Sequence, residues 1–308
     1  MKVDGPVTIA DIRAQKTITE NLLALYPSLV IKGEESDKSM ENVDAASKPE
    51  ELTDAIRNLL KNETIQQKHT DRASFIEGLH KAGVFGEDEI SSKSFETFNT
   101  SEATVWIDPL DGTSDYCRGN ISAVTVLIGL TINDYSRIGV IHFPFIALPD
   151  KSKGMTLFGT GEHGCYSVNY TAGMTPQEMA ARVPEYMAPF EGAPDEDFEV
   201  RVAVSSNRPA EPEMMAVIAP STGVGLGGCG NKSAQLLLDN ADAYITSGLN
   251  YWDICACEPL IRARGGNVFL GNMDKIKYVA GRDYIDGLNA SRTVACKALM
   301  DSRRAAKL

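Results

Sequence analysis

Thr104, Val105, Trp106 and Ile107 run without a break into Asp108, Pro109, Leu110, Asp111, Gly112 and Thr113. The first four are β-branched or aromatic and read as a buried strand. The last six read as a turn, because Pro109 fixes one φ angle and Gly112 permits a sharp reversal. A strand this apolar delivers its turn from a core, so Asp108 and Asp111 can converge just past the strand end. Two ionised carboxylates about 4 Å apart repel by roughly 4 kcal/mol at an effective dielectric of 20. Such a pair persists where a cation sits between them or one of them is protonated. All-oxygen donors without histidine favour Mg2+ over zinc. The same residues also read as a surface Asx-turn, and the stretch alone leaves both readings open.

Outward from this turn, strands and helices alternate. Upstream, Thr8 caps a helix over 8–25, with Ile9, Ile12, Ile18, Leu22 and Leu25 at helical spacing and Pro27 as its stop. A short strand over 29–31 follows and ends in Gly33, Glu34, Glu35 and Ser36. Residues 36–100 are polar and charged, with amphipathic helices expected over 49–60 and 70–81 and a surface loop over 86–101. Downstream, strands are expected over 123–132, 138–143, 201–205 and 243–246, and residues 171–198 read as surface chain. A glycine-rich turn over 223–230 opens a helix over 232–239. Trp252 and Asp253 open another helix, which runs to Arg264 and stops at Gly265 and Gly266. The fold class is α/β or mixed α+β, in layers.

The chain has 308 residues, 43% of them hydrophobic, enough for one large domain or two lobes sharing a core. A net charge of −12 is the wrong sign for a nucleic-acid polymer, so a small molecule is the expected partner. No apolar run of ~18 residues is present and no charged-then-apolar leader follows Met1, so a cytoplasmic monomer off the membrane is expected. The final Ala306, Lys307 and Leu308 depart from the Ser-Lys-Leu address and read as coincidence. Six scattered cysteines fit reduced thiols, and no histidine completes a zinc set with Cys255 and Cys257. The four histidines form no evident pair, which weighs against a phosphohistidine or Ser-His mechanism.

Other acidic residues are weak signals singly. Glu34 and Glu35 alone read as a solvated loop, and Asp253 as a helix-capping group. Asp11, three residues after Thr8, reads as the acidic partner of a capping box.

Together they form a pattern. Val7 through Gln15, Gly33-Glu34-Glu35-Ser36, Trp106 through Thr113, Gly228-Cys229-Gly230-Asn231-Lys232 and Trp252 through Ala256 occur in one order along the chain. In that order they resemble the lithium-sensitive, magnesium-dependent phosphatase superfamily of inositol monophosphatase, inositol polyphosphate 1-phosphatase and the 3'(2'),5'-bisphosphate nucleotidases. The resemblance implies a layered α/β/α/β/α sandwich in two lobes. Residues 1–150 would form an α+β lobe with the metal motifs and a helical insertion over 36–100. Residues 151–308 would form an α/β lobe carrying Asp253. It implies two or three Mg2+ per site, one held by Glu34, Asp108 and the Leu110 carbonyl, another by Asp108, Asp111 and Asp253. Thr113, paired with Asp11, would orient and activate a water for in-line attack, with Glu35 supporting the ligands. Gly112 and Thr113 N–H groups could cradle phosphate. Ser205, Ser206 and Lys232 are the candidate substrate contacts, and lithium is the expected inhibitor.

Two branches compete. The long segment between Glu34 and Asp108 resembles inositol polyphosphate 1-phosphatase, so inositol 1,4-bisphosphate is the preferred substrate. Gly112 and the run from Gly228 to Lys232 have instead the bisphosphate-nucleotidase form, with adenosine 3',5'-bisphosphate as the alternative. Family members usually carry a further helix before the Asp11 motif, where this sequence has ten residues. Gly225, Gly227 and Gly230 also spell a dinucleotide-binding G-x-G-x-x-G, but the next strand ends in Thr246, Ser247 and Gly248 without the required acid. A P-loop fails because Asn231 precedes Lys232. A metal-stabilised scaffold would not need Asp11 and Thr113.

Overall fold

Helix α1 (Ile9–Leu25) begins where expected, at Thr8. The computed structural model describes residues 7–41, 43–44, 102–146, 154–161, 163–171, 173–175, 178, 182–190, 197–206, 220–246, 248–270 and 275–279, and the backbone of 284–285 and 288–291. The helices expected over 49–60 and 70–81 and the loop over 86–101 lie outside these residues. The buried face of α1 is not its apolar stripe. Asp11, Gln15 and Asn21 are buried, whereas Ile9 is 60% exposed and Ile12, Ile18, Leu22 and Leu25 are half-buried. Helical spacing was read correctly, but the face turned inward is polar because it serves loops rather than a core.

Strand β1 (Val30–Gly33) is followed by a single helical turn, α2 (Asp37–Met40). Strand β2 (Ala103–Asp111) runs further than the expected strand over 104–107, and its ladder breaks register between Asp108 and Asp111. The short α3 (Thr113–Cys117) leads to β3 (Thr125–Ile132) and β4 (Tyr135–Phe143). Next come β5 (Gly154–Thr160), β6 (Gly164–Tyr170) and β7 (Glu185–Met187). These seven strands form one sheet in chain order, with β1 parallel to β2 and every later pair antiparallel. The first sheet therefore runs past position 150. Strands β5 and β6 were not foreseen, and β7 lies in a stretch expected to be plain surface. Their interleaved Gly, Thr, Ser and Asn mute the alternation that marks a strand.

The second sheet takes β8 (Val200–Ser205), β9 (Ser221–Leu226), β10 (Ala243–Thr246), β12 (Asn267–Leu270) and β14 (Leu288–Ser291), ordered β12-β14-β10-β8-β9. A small ribbon pairs β11 (Leu249–Asn250) with β13 (Tyr284–Ile285). Helices α4 (Cys229–Leu237), α5 (Tyr251–Ile254) and α6 (Cys257–Ala263) pack against strands of the first sheet, and α4 also packs against β8 and β10. Trp106, Leu127, Ile141, Leu157, Leu236, Ile254 and Leu260 fill the core around them. The result is the expected mixed α+β class.

Two departures in the helices have local causes. The expected helix over 252–264 is split into α5 and α6. Pro259 lacks the N–H that would reach the Cys255 carbonyl, and the Ser136 hydroxyl donates to that carbonyl instead, at 2.6 Å. Helix α4 starts at Cys229 rather than at 232, for a reason that lies in the site. Among the described residues, no helix is long and apolar enough to cross a membrane.

Candidate active site

The site is built at the ends of two parallel strands. Gly33 on β1 stands opposite Ile107 on β2, and the Glu34 N–H donates to the Ile107 carbonyl at 3.0 Å. Backbone pairing thus sets Glu34 beside Asp108, joining two motifs 74 residues apart. Asp108 is 2% exposed, and its Oδ1 accepts from the Leu110 N–H at 3.2 Å, which folds the turn back on itself. Gly112 closes the turn at φ 87°, a conformation that penalises any residue with a Cβ.

Thr113 then meets α1. Its hydroxyl lies 3.2 Å from Asp11 Oδ1 and 3.0 Å from the Leu110 carbonyl, with either oxygen as acceptor. Asp11 is 1% exposed and divides its carboxylate: Oδ2 accepts from the Thr8 N–H at 2.8 Å and the Thr8 hydroxyl at 2.6 Å, while Oδ1 faces Thr113. The capping box is present as expected, and the same carboxylate faces Thr113, the residue with which the resemblance pairs it.

Asp111 reaches in another direction. Its Oδ1 accepts from the Cys229 N–H at 2.8 Å, and its Oδ2 accepts from the Gly230 N–H at 2.7 Å and the Thr125 hydroxyl at 2.8 Å. It therefore supplies acceptors for the first N–H groups of α4, which no local residue caps, and the helix begins early as a consequence. Sequence reasoning missed this link and missed Thr125, because the cap comes from 118 residues away. A Cβ on Gly228 would press on Asp111 Oδ2, so the approach depends on glycine.

Asp253 comes from α5. Gly129 and Gly139 pair across β3 and β4; a Cβ on Gly129 would strike the chain at Cys255 and Ala256, and one on Gly139 would strike Ala256. Their bare backbone lets the α5–α6 junction sit directly on the sheet. Asp253 Oδ2 accepts from the Asn250 N–H at 2.6 Å, so Asn250 caps α5 and Asp253, expected to cap the helix itself, is instead the acidic partner of the capping box. Burial first, then the charges of Asp253 and Asp111, push the Cys229 thiol up. Burial likewise pushes the Cys257 thiol up, with Asp111, Asp253 and Asp108 adding to it. Three aspartates from β2 and α5 therefore act on one buried thiol. These cysteines are free and inert, consistent with the sequence reading.

The expected substrate contacts are less uniform. Ser205 and Ser206 stand at the end of β8 beside Leu226, the residue before the Gly227 turn, with the Ser206 N–H donating to the Leu226 carbonyl at 2.9 Å. Lys232 is buried in the first turn of α4, its ammonium 5.3 Å from the centre of the Tyr244 ring. Asp115, which the sequence did not single out, is buried on α3, accepts from Asn120 Nδ2 at 3.0 Å and packs against Gly227. Among the described residues, no three Asp, Glu, His or Cys side chains are drawn closely enough together to hold one ion. The donor chemistry nevertheless fits a hard cation: Glu34, Asp108, Asp111, Asp253 and the Leu110 carbonyl offer oxygen alone.

Three kinds of similarity bear on this geometry. The model of the inositol monophosphatase family matches residues 51–303. The human 3'(2'),5'-bisphosphate nucleotidase 1 is 29% identical over 85% of this chain and 70% of its own length. Its mouse counterpart is 28% identical over 56% of this chain, which spans about half, 52%, of that protein. A solved inositol monophosphatase/NADP phosphatase complexed with Mg2+ and phosphate superposes with a TM-score of 0.57 over 96% of this chain and 80% of its own, at 11% identity. A likeness at that identity speaks for the fold.

Proposed function

The chain belongs to the inositol monophosphatase family, and on that premise we propose that it is a divalent-cation-dependent phosphatase of a small metabolite carrying two phosphates. The observation that carries this reading is the Thr113 hydroxyl held 3.2 Å from Asp11 Oδ1, directly after a turn that presents Asp108 and Asp111. A hydroxyl held against a buried carboxylate, on a turn that carries two further carboxylates, has a use in hydrolysis that a scaffold lacks.

Glu34, Asp108, Asp111, Asp253 and the Leu110 carbonyl would hold Mg2+. When bound, the cation stabilises charge on the phosphoryl and leaving oxygens and lowers the pKa of water. The residues do the rest. Thr113 donates towards Asp11 and so turns an oxygen lone pair outward, where it accepts a hydrogen from the attacking water and aims that water in line with the ester bond. Asp11, anchored by Thr8, fixes the rotamer of Thr113 and accepts, through the Thr113 hydroxyl, the proton that the water loses. The new P–O bond forms from this water, the ester P–O bond breaks, and the departing alkoxide takes a proton from a solvent water.

For the substrate, the nucleotidase reading is now favoured. Asp111-Gly112-Thr113 and Gly228 through Lys232 have its form, and human and mouse relatives carry that name. Inositol 1,4-bisphosphate is the second reading, supported by the long segment between Glu34 and Asp108. Lithium inhibition belongs to either. A side-by-side comparison of kcat/KM for adenosine 3',5'-bisphosphate, inositol 1,4-bisphosphate and inositol monophosphate tests the choice. The nucleotide should exceed both inositol compounds at least tenfold. A preference for inositol 1,4-bisphosphate reverses the order, and no turnover of any of them removes the proposal.

A further inference from the structure

Gln15 lies one helical turn after Asp11 on α1 and is 2% exposed. It grips the main chain next to Glu34. Its Nε2 donates to the Glu35 carbonyl at 2.7 Å, and its Oε1 accepts from the Glu35 N–H at 2.9 Å. Both amide ends thus close on one residue of backbone, as a neighbouring strand would. A Cβ on Gly33 would lie inside the Gln15 amide, so the missing side chain at 33 is the space the clamp occupies. Lys16 holds the far side of the same segment, its ammonium donating to the Met40 carbonyl at 3.0 Å.

Glu34 is therefore fixed on both sides. Its own N–H is tied to Ile107 on β2, and the residue after it is tied to Gln15 on α1. Since α1 also holds Thr113 through Asp11, one polar helix face sets the loops after β1 and β2 relative to each other. A loose main chain at this glutamate would lose entropy each time a cation bound, and the clamp lowers that cost by fixing the backbone beforehand.

We infer that Gln15 is a positioning residue that holds Glu34 ready for a divalent cation. The inference rests on the proposed cation-dependent activity. Residues that orient ligands without touching the ion change metal affinity by about 10–100-fold when altered.

The test uses the full chain, stripped of metal with chelator and titrated with Mn2+ without substrate, free ion being followed by electron paramagnetic resonance. Gln15→Met keeps size and removes both hydrogen bonds. Gly33→Ala attacks the same clamp from the other side. Each should weaken Mn2+ binding at least tenfold and raise the Mg2+ needed for half-maximal turnover by a similar factor. At saturating Mg2+, kcat should stay within about threefold of the unaltered chain and substrate KM should not move. The double variant should be no worse than the poorer single one. Asn21→Ala, on the same helix and bonded to Thr17, should lower thermal stability without changing Mn2+ affinity. Should Gln15→Met fail to fold, Gly33→Ala decides. A folded clamp variant that binds Mn2+ like the unaltered chain overturns the role of Gln15 alone. An unaltered chain that binds no Mn2+ overturns the cation-dependent reading and this role with it.

Discussion

The Thr113 hydroxyl lies 3.2 Å from Asp11 Oδ1, although 102 residues separate them in the chain. If the pair aims and deprotonates water, the two residues act as a unit. Asp11→Asn and Thr113→Ala should each lower kcat by about 10²–10⁴-fold, and the double variant should be little worse than either. Thr113→Ser should retain most of the activity. Steady-state kinetics on the four proteins check this. Multiplicative losses in the double variant would separate the two roles.

Asp111 carries a structural duty alongside any ligand role, since Cys229, Gly230 and Thr125 all donate to it. Asp111→Asn turns an amide N–H towards one of those donors. The expected loss is about 1–3 kcal/mol of stability, from a buried group left unsatisfied. Thr125→Val should lose less, about 0.5–1.5 kcal/mol. Thermal unfolding with chelator present measures both, so that no cation contributes. An unchanged midpoint for Asp111→Asn would mean that α4 does not depend on it.

His142 gives the fold a pH dependence. Burial lowers its pKa from the ordinary 6.5, and its Nδ1 lies 2.8 Å from the Thr156 hydroxyl. The folded chain therefore favours neutral imidazole. Its contribution is complete above about pH 6.5 and is lost as pH falls from there through the lowered folded value. His142→Gln should show a smaller drop in unfolding midpoint between pH 7.5 and 5.5 than the unaltered chain. Equal drops would assign the acid sensitivity elsewhere.

Part of this fold is encoded by local pattern. The apolar strand, the turn at Gly112 and the cap at Thr8 are each set by neighbours in sequence, and the structure has all three. What could not be read is what distance decides. The start of α4 depends on Asp111, far upstream. The split between α5 and α6 needs Ser136 to answer a carbonyl that Pro259 leaves without its helical donor. The polar inner face of α1 contradicts its apolar spacing because Asp11 and Gln15 bond to loops that meet only in the folded chain. Strands β5 and β6 escaped for a different reason. Their hydrogen-bond partners are each other, β4 and β7, and small polar residues hide their alternation.

Release of inorganic phosphate from adenosine 3',5'-bisphosphate, followed while Mg2+ is returned to chelator-treated protein, tests the central claim. Turnover should be absent in chelator, rise to a plateau with added Mg2+, and fall when lithium is added at the plateau. Hydrolysis that continues unchanged in chelator would mean that Glu34, Asp108, Asp111 and Asp253 serve some purpose other than holding a cation.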